Sequence, residues 1–327
     1  MLRTDISNNA YHGSGDLSRS KAWSLITSCP AKVYHEIKNP PNADAKHFVI
    51  GGCTHTATLE PFKLEEEYAV KPKEINGRGP LTNDYKSAFA QMQDHAPEKR
   101  WLATSDYNAC MNMAAAAREH PLLQTYLDDP ATIIEGTGFF THAGAECKVR
   151  PDLFNSGAGV VLDLKTTQEG DPRSFQHSIR KFGYDFQAAW YLTGLRKMGY
   201  NPTQFIFLTV EKTAPYLTSA YSISGTDVER QNPRMTQACE MWKKCMDSGV
   251  WPGYGDQVET LSLGGPLAFA KDRSSISDIA KKFRVNRSSV YRLIDEYDIK
   301  TKRIGNKRTI DLSDFARALT SDRKAAV

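Results

Sequence analysis

The sequence predicts an α/β protein in which a mixed central sheet is flanked by helices, with a small winged helix-turn-helix module at the C-terminal end. Three observations carry that expectation. Apolar, β-branched runs bracket a Gly-containing turn near residue 157, amphipathic helical patterns lie on either side, and from residue 275 the spacing becomes that of two short helices. At 327 residues the chain is longer than one typical domain. We read residues 1–265 as the main domain, 266–274 as a linker and 275–327 as the module.

Residues 1–13 are polar. Leu17 to Ile26 follows a helical pattern with Ser18 or Ser20 as N-cap, and Pro30 suits the first turn of a second short helix. Phe48 to Pro61 reads as a helix whose Gly51, Gly52, Thr54 and Ala57 permit close packing, with His55 its one strong metal ligand. The polar stretch 65–100 holds a loop from Asn76 to Pro80, where Arg78 is a candidate phosphate contact, and a helix from Asp84 to Gln93. Ser105 is expected to cap a helix running to Glu119, which His120-Pro121 ends. Thr132 to Thr141 reads as a strand carrying Glu135, a candidate outer ligand of a second metal. A solvated edge-strand glutamate is the plainer alternative.

The next stretch concentrates the chemistry. The runs Cys147 to Phe154 and Val160 to Thr166 flank Asn155-Ser-Gly-Ala-Gly159, which predicts a β-hairpin. A four-residue loop from Ser156 to Gly159 sets Asn155 against Val160 and Asp152 against Asp163. The two carboxylates then face each other with Cβ atoms about 4.5–5.5 Å apart. Like charges so placed are destabilising unless a cation lies between them, and hard oxygen ligands suit a divalent ion. Strand alternation brings Lys165 to the same face as Asp163, while Leu162 and Leu164 take the opposite one. A hairpin with an ordinary polar solvent face is the competing account.

Ser174 to Met198 is a helix with an expected interruption at Gly183 and a stop at Gly199. Gln187 and Tyr191, four residues apart, share one of its faces. Gln204 to Glu211 is a nearly continuous apolar strand, paired with Tyr216 to Ile223, and Met235 to Met246 is a further helix. Trp251-Pro-Gly-Tyr254 closes the domain as an aromatic lid.

No apolar run approaches the roughly 20 residues of a membrane helix, and the N-terminus has no apolar signal core, so a cytoplasmic protein is expected. The six cysteines form no Cys-x-x-Cys pair, which argues against zinc and iron–sulfur sites. The net charge of +4 is uneven. Residues 271–327 hold 15 lysines and arginines against 8 acids, leaving 27 against 30 before them. Within that basic tail, Ile279, Phe283, Val285, Val290 and Leu293 with small Ala280 have helix-turn-helix spacing. Arg287, Ser288, Ser289 and Arg292 would then enter the major groove, and Lys302 and Arg303 would lie on a basic β-wing. Arg284 stands where the turn often has Gly. A small helical protein-binding module is the alternative; the charge favours DNA.

Several of these motifs together resemble a known family. Leu17-Ser-Arg-Ser20, Gly51-Gly-x-x-His55 with Leu59-Glu-Pro61, Cys147-Lys-Val-Arg-Pro-Asp152, Leu162-Asp-Leu-Lys-Thr-Thr167 and Gln187-x-x-x-Tyr191 occur in the order found in RecE-type (exonuclease VIII) domains. These are phage and prophage nucleases of the PD-(D/E)xK, restriction-endonuclease-like superfamily. The resemblance spans about residues 10–265 and implies a Mg²⁺-dependent exonuclease, with Mn²⁺ able to substitute, degrading one strand of linear double-stranded DNA 5′ to 3′. It also implies a homo-oligomer and coupling to a single-strand annealing recombinase. By that resemblance Asp152, Asp163 and Lys165 are catalytic, and His55, Asp152, Asp163 and the Leu164 carbonyl hold the metal. Gln187 and Tyr191 would line the DNA channel. A DNA-binding regulator with an inactive nuclease-like core, and a metal-dependent endonuclease, are the competing functions.

Overall fold

The computed structural model describes residues 1–40, 45–255, 273–304, 307–311, 314–315 and 318–319. The chain divides into two compact units, Met1–Gly255 and Asp256–Val327. The first unit begins with helices α1 (Asn8–Gly13), α2 (Arg19–Thr27), α3 (Pro30–Lys38) and α4 (Lys46–Leu59). Ser18 accepts from the Lys21 amide to cap α2, and Pro30 opens α3. After a 3₁₀ turn and α5 (Leu64–Glu67) come β1 (Tyr68–Val70), α6 (Asn83–His95), β2 (Arg100–Leu102), α7 (Thr104–Glu119) and α8 (Pro121–Leu127). Helix α7 starts before the expected Ser105 cap; its N-cap is Ala103, which offers no side-chain bond.

The strands that follow are β3 (Thr132–Ile134), β4 (Gly138–His142), β5 (Ala145–Val149), β6 (Leu153–Asn155) and β7 (Val160–Thr167). Helices α9 (Pro172–Phe182) and α10 (Tyr184–Lys197) lead to β8 (Gln204–Glu211), β9 (Thr218–Ser222), α11 (Gly225–Glu229) and α12 (Asn232–Ser248). The main sheet runs β3-β6-β7-β8-β9, with β7 and β8 parallel and the other pairs antiparallel. It is the expected mixed sheet, with the α9–α10 segment making the crossover that a parallel pair requires.

Two sequence expectations fail at one point. The single strand from Thr132 to Thr141 is split, as is the hairpin arm from Cys147 to Phe154. β4 pairs with β5 in a separate two-stranded sheet, while β3 and β6 join the main sheet. The break falls at Arg150-Pro151-Asp152, where Pro151 has no amide to continue a ladder, and at Glu135, whose φ of 50° turns the chain left-handed. The predicted register survives in the three pairs Leu153↔Leu162, Phe154↔Val161 and Asn155↔Val160, but Asp152 lies beyond the ladder instead of opposite Asp163.

Alternation along β7 and β8 builds two cores. Val161, Phe205 and Phe207 pack with Phe186, Trp190 and Trp242 on one face. Leu162, Leu164, Leu208 and Val210 pack with Val49, Cys53 and Met113 on the other. The α9–α10 break falls at Gly183, with φ 63° and the Trp23 ring 2.6 Å from where a Cβ would stand, so both conformation and space require glycine. Trp251 stacks on Tyr34 and meets Trp242 edge-on, as expected of the closing aromatic segment.

The second unit has α13 (Ile276–Phe283), α14 (Arg287–Glu296) and a sheet of order β10-β12-β11 from β10 (Arg273–Ser275), β11 (Thr301–Ile304) and β12 (Lys307–Asp311). Ile279, Val290, Leu293 and Ile310 are buried in its own core. Arg284 does adopt the left-handed turn, φ 54°, and Asn286 caps α14. Of the expected linker, 266–272 lie outside the described residues, whereas Arg273 and Ser274 belong to β10.

Candidate active site

At the end of the main sheet, where β6 stops and β7 runs on, three side chains from distant segments meet. One ligand atom each of His55, Glu135 and Asp152 lies within 4.8 Å of the others. His55 comes from α4, with Nδ1 3.4 Å from Asp152 Oδ2. Glu135 is held by the left-handed turn, its amide donating to the Asp152 carbonyl at 3.1 Å. Burial first, and then the Asp152 charge, push the Glu135 carboxyl well above the usual carboxylate range. Strand propensity placed Glu135 in a β-strand as an outer ligand; the structure groups it directly with His55 and Asp152.

Asp152 also accepts the Leu164 amide on Oδ2 at 2.7 Å. In an extended strand the amide and carbonyl of one residue point to the same edge, so the Leu164 carbonyl faces the edge that β6 has vacated. Asp163 sits one residue back and is 1% exposed. Its Oδ1 accepts from Gln187 Nε2 at 2.6 Å, while Oδ2 touches the Lys165 ammonium as an ion contact but receives no well-directed hydrogen bond. Burial drives the Asp163 carboxyl up to about 6, with Asp152 adding to the rise and Lys165 opposing it. On Lys165 burial favours the neutral amine, but Asp163 and Asp152 outweigh it and raise the group. The ammonium lies 4.9 Å from the centre of the Tyr184 ring.

These donors suit a hard divalent cation. An imidazole and carboxylates converge, and one carboxylate oxygen is buried without a hydrogen bond. His55, Glu135, Asp152 and Asp163, with the Leu164 carbonyl, are the groups able to hold one. Gln187 was expected to face DNA. It is 7% exposed and its amide is committed to Asp163, while the residue also reaches the wall of the cavity beside the cluster. Tyr191, on the same face, lines the adjoining cavity, and burial raises its phenol.

That cavity, of about 1070 Å³, carries two arginines that the sequence motifs did not single out. Arg19 Nη2 donates to the Phe182 carbonyl at 2.6 Å and also to that of Gly183, leaving Nε buried without a partner. Arg150 donates to Thr137 Oγ1 at 2.7 Å and the Ile6 carbonyl at 2.9 Å, and stacks 4.3 Å from the Tyr11 ring centre. None of the ion pairs among the described residues uses either arginine. The available signal was their place inside the motifs Leu17-Ser-Arg-Ser20 and Val149-Arg-Pro-Asp152.

Other expected contacts lie elsewhere. Arg78 stays on its loop, 3.7 Å from Asp84, and lines none of the cavities around Lys165. In the second unit Arg287 is exposed at the start of α14, whereas Ser288 and Ser289 donate their hydroxyls to Asn286 Oδ1 at 2.9 and 2.8 Å. Those two serines build the helix cap. Arg292 pairs with Glu296 at 2.7 Å, and Lys302 and Arg303 lie on β11.

A broken strand with acids at the break, an Asp-x-Lys on the next strand and helices on both faces define a PDDEXK-like domain. Residues 18–263 match the family described as the PDDEXK-like domain of unknown function (DUF3799), and the chain belongs to it. No curated protein matches the sequence. Among solved structures, the chain is similar to an exonuclease candidate from Eubacterium rectale, at 13% identity and TM-score 0.49, covering 83% of this chain and 99% of that one. It is also similar to a phage-related exonuclease from Haemophilus somnus 129PT, at 13% identity and TM-score 0.31, covering 61% and 95%. Among the described residues no helix is long and apolar enough to cross a membrane.

Proposed function

We propose that the protein is a Mg²⁺-dependent DNA exonuclease that degrades one strand of linear duplex DNA. The observation that carries this reading is the cluster of His55, Glu135 and Asp152 next to the Asp163–Lys165 ion pair, with Glu135 and Lys165 lining a cavity that also presents Arg19 and Arg150. A bound divalent ion supplies Lewis-acid polarisation of a phosphate oxygen and a more acidic water. Arg19 and Arg150, in no ion pair among the described residues, hold the phosphodiester backbone through charge-assisted hydrogen bonds. Lys165, in ion contact with Asp163, is placed to orient water and to stabilise charge developing on the phosphate. Gln187 fixes the rotamer of Asp163. The 5′-to-3′ direction follows from the resemblance to RecE-type domains. The second unit, with α14 led by Arg287 and the basic strand β11, acts as a helix-turn-helix that adds sequence-independent attraction to duplex DNA.

One assay tests the reading. Linear and closed circular duplexes are incubated with the protein in Mg²⁺, with and without EDTA. We expect loss of the linear form alone, abolished by EDTA and by Asp163→Ala or Lys165→Ala. Cutting of the circle would make it an endonuclease, and no cutting of either would leave a DNA-binding regulator.

A further inference from the structure

A second cavity, of about 930 Å³, lies on the other side of Lys165 and Tyr184, both of which line it as well as the first. One wall is α9, an amphipathic helix that buries Phe175 and turns Arg173, His177 and Lys181 outward. The other is the first turn of α4, with His47 and Phe48. Lys212, just after β8, also lines it. No ion pair among the described residues involves Arg173, Lys181 or Lys212. Two large rings stand half-exposed in this basic setting: Phe48, whose ring centre lies 4.1 Å from that of His47, is 51% exposed, and Phe182 is 46% exposed. Lys181 lies 5.2 Å from the Phe182 ring centre, and Phe182 leads by a 5.7 Å ring contact to Tyr184, beneath the Lys165 ammonium.

Cations held in no ion pair among the described residues, tracking a groove with half-exposed aromatic rings between them, are what an unpaired strand of nucleic acid requires. Phosphates neutralise the cations and base faces stack on the rings. A paired duplex shows its base faces only at its end, so rings along a groove select unpaired nucleotides. Because the two cavities meet at Lys165, a strand whose scissile phosphate lies there runs from one into the other. We propose that this groove binds the unpaired nucleotides of the cleaved strand on one side of the scissile phosphate, stacking bases on Phe48 and Phe182 and placing phosphates near Arg173, Lys181 and Lys212. The inference rests on the nuclease reading for the identity of the strand; the groove's preference for single strands stands on its own residues.

The test uses the full chain in EDTA, so that nothing is cut, with an oligothymidine carrying 5-iododeoxyuridine. After irradiation, adducts are located by mass spectrometry, and affinity is read by fluorescence anisotropy. We expect adducts on Phe48 and Phe182, and about a fivefold or greater loss of affinity for each ring changed to alanine. Lys181→Gln should lower the salt dependence of binding. Both rings are exposed, so melting temperatures should stay at the wild-type value, separating impaired binding from impaired folding. Adducts confined to other segments, or unchanged affinity in Phe48→Ala with Phe182→Ala, would overturn the groove while leaving the linear-duplex assay untouched. Conversely, a protein that cuts no DNA yet gives both adducts would sink the nuclease reading and keep the single-strand site.

Discussion

Gln187→Leu isolates one contact behind the acid cluster. The amide donates to Asp163 Oδ1 at 2.6 Å, and Asp163 Oδ2 already lacks a well-directed hydrogen bond. Leucine nearly preserves volume in a site that is 7% exposed, so the fold should persist, but Oδ1 of a buried carboxylate then loses its donor and only the Lys165 contact on Oδ2 remains. A hydrogen bond to a charged group contributes about 1.5–3 kcal/mol, and 1.4 kcal/mol corresponds to about one decade of affinity. Its removal should therefore weaken divalent-metal binding by about 10- to 100-fold, the range typical of residues that orient metal ligands. Calorimetric titration of Mn²⁺ without DNA reads this directly. The Mg²⁺ concentration for half-maximal cleavage should rise by a similar factor, with activity recovered at high Mg²⁺. Mn²⁺ affinity within twofold of wild type would show that Gln187 does not act through Asp163, and would return it to the DNA-facing role that its helix spacing suggested.

Three further outcomes are expected. Glu135→Gln should remove most of the rise in melting temperature that Mn²⁺ gives the wild-type protein, since binding to the native state alone is what stabilises it. An undiminished rise would exclude Glu135 from the cluster's ligands. Lys148 is 1% exposed, and burial lowers its ammonium to about 8 from an ordinary 10.5. The unfolded chain therefore binds the extra proton between those values, and this group's contribution to stability rises with pH at up to about 1.4 kcal/mol per pH unit. Urea unfolding of wild type and Lys148→Met between pH 8 and 10 should differ by that slope, and parallel curves would refute it. Deleting residues from Ser275 onward should leave cleavage at saturating DNA intact while weakening duplex binding and flattening its salt dependence, by about 0.9 in log–log slope for every phosphate that the second unit neutralises in the full chain. An unchanged slope would mean that the second unit binds something other than DNA.

Local pattern alone determined a good deal of this protein. Period-2 alternation on Val160 to Thr167 placed Asp163 and Lys165 on one face and Leu162 and Leu164 on the other, because strand geometry leaves no other choice. Turn chemistry set the register Leu153↔Leu162, and Gly183 marked the break between α9 and α10, since no other residue fits both its φ and the Trp23 ring. Arg284 likewise follows from the turn requirement between the two helices of the second unit.

What tertiary structure decided were the choices between partners. Whether the residues before Pro151 continue in the hairpin or pair with β4 depends on which neighbouring strand offers a ladder, and no local propensity records that. That choice takes Asp152 out of the pairing and brings Glu135, 17 residues away, to it through a left-handed turn that propensity disfavours for glutamate. Gln187 bonds Asp163 because the crossover sets α10 over β7, and Arg19 and Arg150 share one cavity only because α2 and the end of β5 are packed together in space. The chemistry-bearing residues were legible one by one; their grouping belongs to long-range packing, where a hydrogen bond and an ion pair are fixed by distance in space and not by spacing along the chain.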